Sequence, residues 1–376
     1  MALPLVKWDD TARQFRAYED NDSGLTAFQV KWDDTYNRFR ILGNFVPIHA
    51  AILGDNRKMA AGWRAYAGAF YINNMPFYKF DTSLNNIWGS ISGGGNREHS
   101  SYDSNVYRAG SVGGGFFDYG SFEKYDLLGR IIWRVSEVGG HGIDVDSSGN
   151  VFCAGARWGS ASVWKLNDDG MEQWDYDTNG RANAIAVDGS GQAHIASTRT
   201  TNGDGGDFTV WKLDSSGNFS WGFDTGDEAY DIKVDGSGNV YVVSDGGATH
   251  QIYKLNSAGV EQWNFDHGAD IKGVAVDGSG NVYLGCSEAG NKSVIKLNSA
   301  GVEQWSYDIN DTAWDIDLDS SGNVYVVSGR GTNGDGTHTL WKLNNAGAYQ
   351  TGFDAGSKME SLHIDANDNI FAGILG

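Results

Sequence analysis

Proline, cysteine and positive charge are all scarce in this chain. Three prolines against 53 glycines suit an all-β protein whose strands are joined by many tight turns. Two cysteines, Cys153 and Cys286, cannot build a disulfide framework, so stability has to come from apolar burial, and a reducing site of synthesis fits. No apolar run is long enough to span a bilayer, and the opening MALPLVKWDD lacks the basic start and apolar centre of a signal peptide. The sequence therefore predicts neither membrane insertion nor export by a signal of its own. Only 28 Lys and Arg face 48 Asp and Glu, a net charge of −20. So acidic a surface repels phosphate backbones and anionic lipid, making nucleic acid and anionic membrane poor partners. The deficit is uneven: residues 1–66 hold nine basic and eight acidic residues, the remainder 19 and 40.

Repetition is what the chain has in abundance. An Asp ending a short alternating run recurs as Asp103, Asp146, Asp188, Asp235, Asp277, Asp319 and Asp365. A Lys followed by an aromatic or Leu and then Asp or Asn recurs as Lys79, Lys124, Lys165, Lys212, Lys254, Lys296 and Lys342, with steps of 41 to 47 residues between markers. Within residues 231–266, DIKVD reads as an inner strand, VYVVS as a strand covered on both faces, HQIYKL as a third and VEQWNFD as the outer one. Trp88, Trp133, Trp174, Trp221, Trp263 and Trp305 share one place on the outer strand, and Thr351 breaks the row. Six complete units lie at 98–133, 143–174, 184–221, 231–263, 273–305 and 315–351. The half-units at 68–88 and 361–374 supply complementary strands. The expected fold over residues 67–376 is a seven-bladed β-propeller whose closing blade is split between the two ends, an arrangement that removes open sheet edges.

The units resemble the bacterial β-propeller repeat (AVD-SSGNVYV, then VKLNSAG---W), a relative of the blades of quinoprotein dehydrogenases. The resemblance covers roughly residues 67–376 and implies the fold, not an activity. The cofactor pocket of the quinoprotein enzymes has no matching residues here.

Residues 1–42 carry a separate repeat, VKWDDTARQFRAY and VKWDDTYNRFRIL, with Trp8 and Trp32 in register. Each copy reads as a hairpin, and residues 43–66 as a linker or short helical connector. Asp9, Asp10, Asp33 and Asp34 are turn residues in this reading rather than cation ligands. Near-neutral charge makes residues 1–66 a candidate attachment module with Trp8 and Trp32 as its anchors in a partner, the alternative being that both pack on the propeller's flank.

Candidate ligand groups gather in the segments between second and third strands. RTTNGDG at 199–205 and RGTNGDG at 330–336 offer Asn202, Asp204, Asn333 and Asp335 to ions or sugar hydroxyls, against the simpler reading as flexible polar turns. Arg157, Arg199 and Arg330 each stand seven residues after the Asn or Gln that opens the second strand. Such guanidinium groups either grip an acidic glycan or a partner's acidic loop, or neutralise neighbouring Asp residues. Trp158 and Trp314, outside the repeated positions, are placed in loops as sugar platforms or as plugs between blades. No catalytic grouping is legible. The eight His residues show no metal spacing, and the calcium-loop imitations at Asp144/Asp146 and Asp317/Asp319 have Gly155 and Ser328 where a bidentate Glu should close the loop. Hence no metal and no cofactor are expected.

A small separate module joined to a large acidic repeat domain resembles tail, fibre or decoration proteins of tailed bacterial viruses. That likeness implies a virion component made in the host cytoplasm. It would be joined to other virion or assembly proteins through residues 1–66, as a homo-oligomer within the assembly, and would present the propeller to a cell-surface glycan. A carbohydrate-active enzyme is the alternative, and it should reveal itself by clustered acidic and aromatic residues at the channel mouth with raised carboxylate pKa values. A free cytoplasmic lectin or scaffold is the other.

Overall fold

The computed structural model describes residues 139–156, 162–201, 206–245, 250–287 and 292–374, and before them residues 82–84 and the strands within 5–42, 70–88 and 96–136. The chain divides into two compact units, one of residues Met1–Met75 with Tyr125–Ile132, the other holding the rest. In the first unit the strands Leu5–Asp9, Gln14–Tyr18, Gln29–Asp33 and Arg38–Leu42 form one antiparallel sheet. The two expected hairpins are joined, with Phe15 opposite Val30, and Trp8 and Trp32 stand opposite Phe15 and Phe39. A fifth strand, Phe70–Tyr71, pairs with Arg38–Leu42, so this sheet reaches past residue 66.

Besides this sheet, the described residues form seven four-stranded antiparallel sheets, which lie in the second unit apart from Tyr125–Ile132 of the first of them. In chain order they are blade 1 (96–136), blade 2 (139–176), blade 3 (182–223), blade 4 (229–266), blade 5 (271–307), blade 6 (313–353) and blade 7. Blade 7 takes Met359–Ile364 and Ile370–Ile374 from one end and Phe77–Phe80 and Asn86–Trp88 from the other. The innermost strands neighbour one another in cyclic order, from blade 1 to blade 7 and back to blade 1. The ring is a β-propeller, and Phe371 opposite Lys79 closes the split blade.

The markers owe their recurrence to two turns and one clasp. At the first turn Asp235 Oδ1 accepts the backbone N–H of Ser237 and Asn239 at 2.9 Å each, and Oδ2 accepts Asn239 Nδ2–H at 2.8 Å. The same bonds recur at Asp146, Asp277, Asp319 and Asp365. These carboxylates are turn builders, and no described group of His, Cys, Asp and Glu is arranged to hold a metal ion.

The clasp joins successive blades. The backbone carbonyl of Ser257 accepts both Lys212 Nζ–H (3.5 Å) and Trp221 Nε1–H (3.2 Å) from the preceding blade. Asp168, Ser215, Ser299 and Asn345 repeat this double acceptance. Two residues on, a glycine at positive φ lies against the indole: a Cβ on Gly259 would stand 2.7 Å from Trp221 Cδ2. Where Thr351 replaces the Trp, the facing turn carries Leu84 instead of Gly, still at φ 60°. Leu84 is only 5% exposed and packs with Tyr325, Val327 and Leu340. At this seam a buried Leu thus stands where the other seams have Gly, and a Thr where they have Trp.

Beside the first turn, Tyr241, Tyr283 and Tyr325 each donate a hydroxyl to the turn Asp at 3.0–3.2 Å. Blade 3 has His194 there, buried, with Nε2 3.4 Å from Asp188 Oδ2 and Nδ1 without a partner. Burial lowers the pKa of His194, although Asp188 pulls it the other way. A lowered histidine costs stability as pH falls below the unfolded value near 6.5, because the unfolded chain then takes up the proton. His194→Tyr is therefore expected to raise stability by about 1 kcal/mol by removing an orphan polar atom, and more at pH 5.5 than at pH 8. Thermal melts at both pH values read this out.

Candidate functional site

In blades 1 to 7 the innermost strand contains a β-bulge near its start. In blade 4, Ala229 faces Ser244 and Asp231 faces Val243, leaving Tyr230 as the extra residue. The same irregularity singles out Arg97, His141, Asn183, Lys272, Trp314 and Glu360. A bulge re-aims one side chain out of the pleat. In blades 2 to 7 it turns this side chain toward one cavity, which Asp231, Lys233, Asp315, Asp317 and His363 line as well. No two of the seven residues are alike and none is aliphatic, in blades that otherwise repeat one another closely. An alignment of the units on their turn Asp exposes this column in blades 2 to 7, where the residue stands five before the Asp, whereas Arg97 stands six before Asp103.

Ring members are held by charged neighbours. Asn183 accepts Arg181 Nε–H (2.8 Å) and donates to Glu228 and to the Ala229 carbonyl (2.9 and 2.7 Å). Lys272 donates to Asp270 at 2.9 Å, and Glu360 pairs with Lys358 at 2.5 Å. The Lys358 ammonium sits 3.3 Å from the centroid of the Trp314 ring, with Lys272 at 5.8 Å.

Below the ring, carboxylates tie blades together. Asp315 Oδ1 accepts its neighbour Ile316 N–H at 2.8 Å, while Oδ2 accepts Leu362 N–H of blade 7 at 2.7 Å. Asp144, Asp231 and Asp317 repeat this bridge to Val187, Val274 and Ile364. Desolvation raises Asp315 to about 7; Lys233 opposes the shift, Asp231 adds to it, and the two N–H donors resist it. Its side chain is half-buried and lines the cavity. A folded value above the unfolded one near 3.9 means that stability linked to Asp315 is fully present below about pH 4 and is lost as pH rises through about 7. Asp315→Asn should remove on the order of 3 kcal/mol of that slope, so the wild-type and variant melting curves should diverge between pH 5 and 8. Parallel curves would refute it.

The groups picked out by sequence fare differently. Trp314 lies on the innermost strand Ala313–Leu318, not in a loop, and Lys358 covers its ring. Arg199 and Arg330 are equivalently placed, and each grips an Asp of its own blade. Arg199 Nε lies 3.0 and 2.9 Å from the Asp224 oxygens, and Arg330 Nε 3.1 and 2.9 Å from those of Asp354. The neutralising role fits both. The segment 330–336 is no flexible turn, since its flanking strands extend until Asn333 pairs with Gly336. Asn333 donates to Tyr307 Oη and the Asp308 carbonyl (3.0 and 2.7 Å), and Tyr307 donates to Asp335 Oδ2 (2.6 Å). Both side chains pin this hairpin to blade 5. Arg157, Trp158, Asn202 and Asp204 lie outside the described residues, as do the side chains of Trp8 and Trp32. Cys153 and Cys286 are buried free thiols, their pKa values raised by burial.

No protein-family model matches the chain, and no curated protein matches it. Solved structures do. A streptogramin B lyase aligns at TM-score 0.58 and 16% identity, over 81% of this chain and 98% of that one. PorZ, a bacterial surface component of the type-IX secretion system of Porphyromonas gingivalis, aligns at 0.53 and 13%, over 96% and 55%. The Pan2 WD40 domain of Neurospora crassa aligns at 0.52 and 11%, over 74% and 89%. At such identities the likeness carries the fold and nothing finer: this chain is similar to β-propellers whose roles range from enzyme to surface component.

Proposed function

We propose that this protein is a non-catalytic recognition protein that takes its ligand at the bulge ring of the propeller, in the manner of a surface-displayed virion component. The observation that carries the reading is the ring itself. Blades that repeat one another in turn, clasp and core diverge completely at the one position that the bulge turns into the channel. Symmetric scaffolding needs no such divergence, whereas an asymmetric ligand does. The first unit, near neutral in charge, serves as the attachment module to an assembly.

The test uses the full-length chain and intact bacterial cells or their isolated surface polysaccharide. Tyr230→Ala and Lys272→Ala should weaken binding, and Arg199→Ala and Arg330→Ala should leave it unchanged. Trp8→Ala with Trp32→Ala should impair incorporation into the particle without affecting ligand binding. Ring variants that bind like wild type would refute the recognition reading.

One observation favours an enzyme instead. Asp315, raised to about 7, lies in the cavity with Trp314, Tyr230 and Glu360, the pattern expected of a carbohydrate-active site. Against it stands the engagement of both Asp315 oxygens by backbone N–H groups, in a bridge that three other aspartates repeat. Polysaccharide turnover that Asp315→Asn abolishes while binding persists would establish the enzyme.

A further inference from the structure

The five-stranded sheet of the first unit has two unlike faces, set by its register. Directly opposite residues of an antiparallel pair share a face, and Trp8, Phe15, Val30, Ile41 and Phe70 stand in one row across all five strands. Trp32, two residues along from Val30, belongs to that apolar face as well. The other face is cationic. Lys7 stands opposite Arg16 and Lys31 opposite Arg40, while Arg16 and Lys31 are diagonal neighbours on adjacent strands. Opposite positions are about 5 Å apart and diagonal ones about 7–8 Å, so these four residues on four successive strands form one stripe. Arg38, on the same face, is matched by Asp33 directly opposite. No acidic residue stands opposite any member of the stripe.

Like charges directly opposite one another destabilise a sheet. Here the opposition occurs twice, at the same places of VKWDDTARQFR and VKWDDTYNRFR. A face that meets only water is better served by mixed signs, and residues 1–66 contain eight acidic residues, yet only Asp9 and Asp33 fall in these strands. An anion laid along the stripe turns its internal repulsion into binding. The charges favour a carboxylate-bearing partner over a phosphate backbone. The Debye length is about 8 Å at physiological salt, so the stripe acts at short range, whereas an approaching polymer first meets the field of a chain of net charge −20. Nucleic acid, with one charge per ~1.7 Å of duplex, is repelled most by that field, and a protein segment with a few carboxylates least.

Resting on the attachment reading above, we infer that the cationic face of the first unit docks a carboxylate-rich segment of a partner protein through Lys7, Arg16, Lys31 and Arg40. The near-neutral balance of residues 1–66 conceals this stripe, because most of the acidic residues fall outside the strands.

Full-length protein titrated with a short labelled peptide of alternating Glu and Gly, and with an oligodeoxythymidine of equal charge, tests this at low and at physiological salt. Three results together support it: peptide binding falls with salt, drops at least about tenfold in Lys7→Gln with Arg16→Gln and in Lys31→Gln with Arg40→Gln, and is unchanged in Arg199→Gln with Arg330→Gln. Without peptide, both stripe variants should melt at or above the wild-type temperature, since each removes an opposed pair of like charges. A lower melt alongside the lost binding would make these residues structural and overturn the inference. Tighter binding of the oligonucleotide through the same residues overturns the partner class, and absence of peptide binding by the wild type overturns the inference outright. If the stripe variants join the particle normally while Trp8→Ala with Trp32→Ala does not, the inference falls and the attachment reading stands; if both join normally, both fall.

Discussion

Removal of residues 359–376 should abolish the cooperative melt of the propeller and drive the protein into aggregates. The deletion takes away the strands Met359–Ile364 and Ile370–Ile374 and leaves Phe77–Phe80 and Asn86–Trp88 as half a sheet. It also strips Met359, Leu362, Ile364 and Ile370 from a core shared with Tyr325, Val327 and Leu340, and removes the buried Phe371 as well. At about 1.5–3 kcal/mol for each buried side chain the loss is on the order of 10 kcal/mol, comparable with the whole stability of an ordinary domain, about 5–15 kcal/mol. The seam it opens is reinforced: Asp315 and Asp317 both bridge to it, Ser320 donates to Asp368, and Lys342 Nζ–H reaches the Thr82 carbonyl at 2.8 Å. Two unpaired edges would remain to recruit other chains. Calorimetry and size-exclusion chromatography measure the outcome, and a truncated chain that melts as a monomer near the wild-type temperature would contradict the split closure.

That closure was legible because its signals are local and periodic. Each turn Asp binds its own next residues, so it must recur wherever the turn does, and counting it against the Lys marker revealed two half-units. The ring was not legible for a related reason. A bulge adds one residue to the alternation, so a strand delimited by strict alternation begins only after the bulge, two residues too late. Tyr230 was cut from the strand that starts at Asp231, and Trp314 from the one that starts at Asp315, which placed Trp314 in a loop. The arginines posed a different problem: their recurrence at one height is real, but their partners, Asp224 and Asp354, lie 24 or 25 residues away on the outer edge of the blade. Spacing along the chain cannot say whether a guanidinium faces a ligand or its own sheet.

The second large effect concerns the clasp, where Gly301→Ala should destabilise the propeller by about 3 kcal/mol. Two terms contribute: a side chain at positive φ costs about 1–2 kcal/mol, and forcing a methyl into a filled contact costs typically 1–3 kcal/mol. Gly301 has φ +79°, and its Cβ would lie 2.8 Å from Trp263 Cδ2, an atom of a ring held in place by its own N–H bond to Ser299. Gly278, with nothing near its Cβ, is the control and should tolerate Ala within about 0.5 kcal/mol. The natural exception supplies the sharper test. Thr351→Trp alone should destabilise, because Leu84 occupies the space that the indole needs. Leu84→Gly alone should also destabilise, by emptying a buried site at a cost of about 2–5 kcal/mol. Combined, the two changes rebuild the clasp of the other seams, so the double variant should be more stable than the sum of the single losses by at least about 2 kcal/mol. Denaturant unfolding of the four proteins measures that coupling, and strictly additive losses would mean that Leu84 and Thr351 do not share a space.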